Sequence, residues 1–291
     1  MDASIVDPAR ESVATAGQPW QGQAKLTFRR QGDRTVPEVQ TQAPLKVQQP
    51  FYPEGPDMCQ SVLLHTAGGM VGGDRLNYDL HALAGAHAMV TTAAAAKIYS
   101  DHPQPAQITG RLRVEAGACL EWLPQEAIVF EGAQLQQNWR VELADDAHWL
   151  GWDMLRLGRT ARGERFCRGE VRSRFEVWHG DRLIWVDPQR LTGSEALWQS
   201  PHGLHQCPIV ATLVWVGALP EPEVVEAVRA AWQPKSSQPG EMGVTRLQLG
   251  LLCRYRGHST GEVRRWFIQA WKILRPYYAR PLQTVPRVWP L

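Results

Sequence analysis

The feature that most restricts this chain is a turn that comes back. From Gln23 to about residue 216, short runs of apolar residues alternate with polar ones, and Gly, Pro or Asp interrupts them. Alternation with a period of two marks strands with one buried face. Ala24-Leu26-Phe28, Arg111-Leu112-Arg113-Val114-Glu115 and Arg174-Phe175-Glu176-Val177-Trp178 are examples. Three of the interruptions read alike: Leu83-Ala84-Gly85-Ala86-His87-Ala88-Met89, Val114-Glu115-Ala116-Gly117-Ala118-Cys119-Leu120 and Leu143-Ala144-Asp145-Asp146-Ala147-His148-Trp149. They recur about every 30 residues, the period of stacked repeats. A solenoid-like stack of strand pairs and a sandwich of recurring hairpins both fit. We favour the first: a mainly β, elongated, stacked-sheet architecture.

Toward the end the period changes. Pro222 to Trp232 opens with Pro and Glu and carries apolar residues at 224, 225, 228, 231 and 232, one helical face, with Pro234 as the stop. Thr260 to Leu274 repeats the pattern with 263, 266, 267, 270, 271 and 274, and Pro276 ends it. Gly243–Leu247 and Gly250–Tyr255 read as strands between the two. The expected organisation is a flexible leader over 1–19 and one domain over 20–291 with a small C-terminal helical part.

Composition excludes more than it assigns. A net charge of +2 on 291 residues is too even for a nucleic-acid binder. The five cysteines are scattered without a CxxC pair, against a disulfide framework or structural zinc. The N-terminus lacks the apolar run of a signal peptide, and no segment reaches 18 consecutive apolar residues, so a cytoplasmic protein without a membrane span is expected. Arg far outnumbers Lys, and the 13 Trp are many. Both residue types are favoured at interfaces.

Local chemistry is sparse. Thr66 to Leu76 holds Gly68, Gly69, Gly72 and Gly73 but lacks the Lys and hydroxyl of a phosphate loop, and a strand follows it instead of a helix. These glycines read as a structural turn, with Asp74-Arg75 beside it as an ion pair or contact. His202, His205 and Cys207 are candidate soft-metal ligands without a fourth partner at fixed spacing. No GxSxG elbow occurs. Glu126 precedes the apolar run Ala127–Phe130, and a buried carboxylate needs a partner, such as an Arg, or shifts its pKa.

Taken in order, certain strings join into a family pattern. They include Pro44-Leu45-Lys46-Val47-Gln48, Leu64 to Leu76 with its GGMVGGDRL, Thr91 to Tyr99, Leu120-Glu121-Trp122-Leu123-Pro124-Gln125-Glu126, Leu150-Gly151-Trp152-Asp153, Gly243-Val244-Thr245-Arg246-Leu247 and Pro286-Arg287-Val288-Trp289. The chain resembles the urease accessory protein family UreD, also called UreH, over roughly residues 20 to 291. Thr66-Ala67 departs from a Pro pair common there.

The resemblance implies a non-enzymatic urease maturation factor that binds UreF, UreG through UreF, and apo-urease. It also implies nickel moving through an internal, hydrated passage, with Ni2+ transient and no tightly bound cofactor. A passage needs weak polar stops, for which we nominate Glu126, Glu176 and Asp74, a plain surface role being the competing reading. Arg264, Arg265, Trp266 and Trp271 form an aromatic, Arg-edged stripe suited either to a partner or to the chain's own sheet. The alternative function is a metallochaperone holding nickel itself through His202, His205 and Cys207.

Overall fold

The computed structural model describes residues 19–100, 103–235, 237–279 and 285–289. Apart from Pro19, the leader expected over 1–19 lies outside the described residues. The chain opens with β1 (Gln21–Gln31), β2 (Arg34–Gln42), β3 (Leu45–Val47) and β4 (Met58–His65). It continues through β5 (Arg75–Ala82), β6 (His87–Thr92), β7 (Ala96–Ile98), β8 (Ala106–Val114), β9 (Cys119–Leu123) and β10 (Ala127–Val129). Then come β11 (Gln134–Leu143), β12 (His148–Leu157), β13 (Glu170–His179), β14 (Arg182–Thr192), α1 (Glu195–Gln199) and β15 (Ile209–Val216). The last elements are α2 (Pro222–Ala230), β16 (Glu241–Leu247), β17 (Gly250–Gly257) and α3 (Thr260–Leu274).

Two sheets face each other. One runs β14-β13-β11-β8-β5-β1-β2 and the other β16-β17-β15-β12-β9-β6-β4-β3. Their central strands are parallel: β1, β5, β8, β11 and β13 in the first sheet, β4, β6, β9 and β12 in the second. Each recurring turn carries the chain from one sheet to the other, from β5 to β6, β8 to β9 and β11 to β12. At its corner stands a residue in the left-handed region: Gly85 at φ 67°, Gly117 at 64° and Asp146 at 54°. The turns stack on one another. Glu115 N–H donates to the Ala82 carbonyl, Ala144 N–H to Val114, Cys119 N–H to Ala86 and His148 N–H to Ala118, all at 2.9–3.0 Å. The repeated string is therefore one coil of a solenoid, as expected, and the hairpin reading falls. A third, short ladder closes each coil where β7, β10 and the end of β12 run parallel.

In-register stacking turns like positions into rungs. Leu26, Leu80, Leu112, Val141 and Val177 form one aliphatic rung across the inner face of the first sheet, all nearly or fully buried. Two residues along, the rung is Ala24, Tyr78, Gly110, Trp139 and Phe175. Trp139 stacks on Phe175 and on Tyr78, each at 5.7 Å between ring centres, and Trp122 of β9 packs from the opposite sheet at 5.1 Å. Tyr78 and Trp139 stand on strands two apart. They meet because Gly110 between them has no side chain, so the Trp139 ring lies over its backbone.

The outer face of the second sheet carries the helices. Val224, Val225 and Val228 of α2 and Val263, Trp266, Phe267, Trp271 and Leu274 of α3 form a second core with Leu213, Trp215 and Leu251. Both helices occupy the segments expected from their period. Pro222 opens α2, while Ser259 caps α3 by accepting from Glu262 N–H at 3.2 Å. Among the described residues no helix is long and apolar enough to cross a membrane.

A methyl group at Gly110 would fall inside the Trp139 ring. Gly110→Ala is therefore expected to lower stability by about 1–3 kcal/mol through overpacking, measured by urea unfolding. A wild-type midpoint would mean that the stacked rings are not fixed by this gap.

Candidate functional site

One stretch of the interior breaks the apolar rule. Across the first sheet, register sets Gln137, Ser173 and Gln189 side by side. Across the second it sets Asp153, Thr212 and Arg254 side by side. Gln137 Nε2 donates to Asp153 Oδ2 at 3.2 Å, joining the two sheets. Asp187, the neighbour of Phe175 on β14, takes a two-pronged bond from Arg254 at 2.6 and 2.8 Å and another from Gln189 at 2.8 Å. Arg254 Nη1 also donates to Thr212 Oγ1 at 2.6 Å.

These side chains line a chain of cavities. The largest of them, about 520 Å³, runs from a mouth at the exposed Gly68, Ala94 and Lys97 down to Tyr78, Gln137 and Asp153. A second, about 270 Å³, is walled by Asp153, Asp187, Gln189, Thr212 and Arg254. A third, of about 10 Å³, shares Asp153 and Phe175 with the first and Asp153, Asp187, Gln189 and Thr212 with the second, and offers roughly the room that one water needs. Asp153 is in the wall of all three.

Asp153 is only partly covered by protein atoms, and it lines all three of these cavities. Burial, with the like charge of Asp187 adding to it, pushes its carboxyl up to about 6. Burial likewise raises the Tyr78 phenol. The indole N–H groups of Trp139 and Trp149 in the same walls have no protein acceptor among the described residues. The volume is roomy and its largely apolar walls carry these polar groups, which gives enclosed water its partners.

The glycine-rich segment makes the rim of the mouth. Met70 N–H donates to the Lys97 carbonyl at 2.7 Å, and Tyr99 N–H returns to Met70 at 2.9 Å. Gly69 has φ 155° and sits so close to Lys97 and Tyr99 that a side chain would strike both; Gly73 has φ 90°. The structural-turn reading thus has a physical cause at these two positions. Gly68 and Gly72 are not in the left-handed region. Asp74, nearly fully buried, accepts from Trp20 N–H at 2.7 Å and Val71 N–H at 2.9 Å, so it braces the turn instead of pairing with Arg75.

The other nominated residues fall elsewhere, and none of Asp74, Glu126 and Glu176 lines the three cavities. Glu126 is paired with Arg264, which also bonds Gln125. Glu176 lies on the outer face of the first sheet, bonded by Arg174 at 2.6 Å and by Trp178 Nε1 at 2.9 Å. Arg264, Trp266 and Trp271 are buried in the chain's own second core, and of that stripe only Arg265 is exposed. Of the two roles open to this stripe, partner or own sheet, the aromatic face takes the second and docks α3 onto the sheet, so Arg264, Trp266 and Trp271 are not partner-facing here. His202, His205 and Cys207 do not converge. His205 Nδ1 lies 3.3 Å from Glu241, Cys207 Sγ lies 3.6 Å from His258, and His202 is exposed. No group of three side chains able to hold a metal occurs among the described residues.

The Leu120–Glu126 string serves both layers by alternation. Trp122 points into the cavity wall, while Glu121 points outward and is wholly buried under α3. There it accepts from Trp271 Nε1 at 3.0 Å and Tyr278 O–H at 2.9 Å, and pairs with Arg275 at 3.0 Å. Arg275 also pairs with Glu54 at 3.0 Å.

Sequence reasoning passed over Asp153, Gln137, Asp187 and Arg254. The available signal was parity: Asp153 shares the inner phase of β12 with Trp149 and Leu155, where a carboxylate is out of place.

Two outcomes follow from these placements. Below about pH 4, Asp153 is protonated in folded and unfolded chains alike. Between about 4 and 6 only the unfolded chain loses the proton, and above 6 the folded chain carries a disfavoured charge. Asp153→Asn should therefore be more stable than wild type at pH 8, by on the order of 2 kcal/mol, with the gain gone at pH 4. Thermal melts across that range check it. Trp266→Ala should cost about 3–5 kcal/mol by emptying the second core, and a melting temperature near wild type would return that side chain to the surface.

Known proteins share this chain almost end to end. A family model described as UreD urease accessory protein matches residues 21–290. The urease accessory protein UreD of Nostoc punctiforme is 52% identical over 271 residues, covering 93% of this chain and 96% of that protein. The UreD of a second Nostoc species is 49% identical over 271 residues, with the same coverage of 93% and 96%. That of a Synechocystis species is 41% identical over 278 residues, or 95% of this chain and 100% of its own. The match takes in the glycine rim, the cavity walls and the helical layer together, and the chain belongs to the UreD urease accessory protein family.

Proposed function

We propose that this chain is a non-catalytic urease maturation factor that gives Ni2+ a route to apo-urease through its own interior. It would do so while docked with UreF and, through UreF, with the GTPase UreG. The observation that carries the reading is Asp153, a single carboxylate in the wall of three adjoining cavities. An ion in transit must be attracted enough to enter and held weakly enough to leave. One carboxylate with a glutamine beside it meets that demand, whereas three or four converging ligands would trap the ion. The stacked sheets add a rigid wall, so the polar rung keeps its place without the ion. Nickel is cargo here, and nucleotide hydrolysis belongs to the partner, in keeping with a glycine segment that lacks phosphate-loop chemistry.

The test uses purified apo-urease, the partner accessory proteins, GTP and limiting Ni2+. Asp153→Asn should assemble normally yet lower the initial rate of urease activation about tenfold, the effect of losing about 1.4 kcal/mol of stabilisation along the route. Asp153→Glu, which keeps the charge, should recover most of the rate. Full activation by Asp153→Asn would overturn interior transit.

A further inference from the structure

The second cavity carries an ion pair in its wall, Arg254 on Asp187. The two are not equally buried: the Asp187 side chain is 10% exposed and that of Arg254 40%. Both line the cavity, and the guanidinium is the more exposed of the two. Arg254 closes the rung that begins at Asp153, on the strand two removed, and reaches across to β14 in the opposite sheet.

Consider what this pair does to a cation. Asp153 and Asp187 front the same small volumes, and Asp153 has only Gln137 as a side-chain donor among the described residues. Two carboxylates on one cavity attract a divalent cation. One of them is already satisfied, by a cation that cannot diffuse away. A guanidinium held by both nitrogens is a close geometric match to a carboxylate. The grip is two-pronged, and Nη1 also holds Thr212, but the guanidinium is 40% exposed and keeps a side open to solvent. That is the geometry of a plug: a tethered cation seated on a cavity carboxylate, with an exposed side toward which it can swing.

We propose that the second cavity is a divalent-cation stop held shut by a tethered cation, Arg254. Asp187 becomes available to an ion that has passed Asp153 only when the guanidinium swings outward. The inference rests on the transit reading above for its purpose: the plug keeps stray divalent ions out of this cavity.

The experiment needs neither urease nor nickel, so its outcome is separate from that of the activation assay. The full-length protein is titrated with Mn2+ at pH 7.5, with free ion read by electron paramagnetic resonance. Wild type should bind only weakly. Arg254→Met, which uncovers Asp187, should bind one Mn2+ per chain about tenfold more tightly or better, the effect of one freed carboxylate. In Arg254→Met combined with Asp187→Asn the added affinity should vanish. Should Arg254→Met fail to fold, Arg254→Lys carries the test. It keeps a charge but loses the two-pronged grip, and should bind Mn2+ severalfold more tightly than wild type. Wild-type affinity in whichever of these variants is folded, or tight binding that survives Asp187→Asn, would overturn the plug.

Discussion

The in-register parallel ladder is the constraint on which the rest of this structure depends. Because the recurring turns stack through the same backbone bonds at every coil, each inner-face residue is locked beside its counterparts one coil up and one coil down. Facing sheets stand about 10 Å apart, so an inner residue meets either a residue of the other sheet or enclosed space. Apolar rungs then zip into a core, as with Leu80 and Leu112. A polar residue at the middle of such a rung is removed from bulk water, and it must pair across the gap or line a cavity. Gln137 and Asp153 do both. The neighbouring aromatic rung shares that volume, since Tyr78, Trp139 and Phe175 line the same cavity as Gln137 and Asp153.

The helical layer is fastened by a different and more costly device. Glu121 and Arg275 are completely buried, and Glu54 is close to it. Burial raises the Glu54 carboxyl above its ordinary range in spite of the Arg beside it. Buried ion pairs recover little more than their own desolvation, and their value lies in specifying one arrangement over others. The arrangement specified here joins three distant parts of the chain: the loop before β4, the β9 strand and the end of α3. Since Trp122 is the residue next to Glu121, the position of the cavity wall is tied to the docking of the helices through a single strand.

Much of this was legible in the sequence, and the failures have physical causes. Gly85, Gly117 and Asp146 announced the coil because a tight strand-to-strand corner needs a left-handed residue. The two helices announced themselves by period and proline, whereas α1, with five residues, is too short to show a period. The site was harder. Alternation correctly put Glu176 on the face away from the apolar residues, but in a solenoid that face is solvent and not lumen. Glu126 found the Arg that a half-buried carboxylate needs. The Trp and Arg stripe of α3 has the composition of an interface because a helix docking on its own sheet makes the same demands as one docking on a partner. The polar rung depends on which residues of distant strands share a register, and no local pattern carries that. For Arg254 and Asp187 the separation is 67 residues.

Asp153 also settles what kind of feature the rung is. A carboxyl raised to about 6 by burial works against folding at neutral pH, and an apolar residue on the inner face of β12 would pack and stabilise as Leu155 does. Folding alone gives no reason for the charge. Local rules of packing are broken in proteins mostly where function requires it, and here the break coincides with the meeting point of three cavities. On the transit proposed above, a surface carboxylate could attract nickel at no such cost, but it would attract every other divalent ion as well, from every side. Placing the charge inside a rigid stack would confine its attraction to what can enter the mouth, making the energetic penalty and the selectivity two consequences of one position in the register.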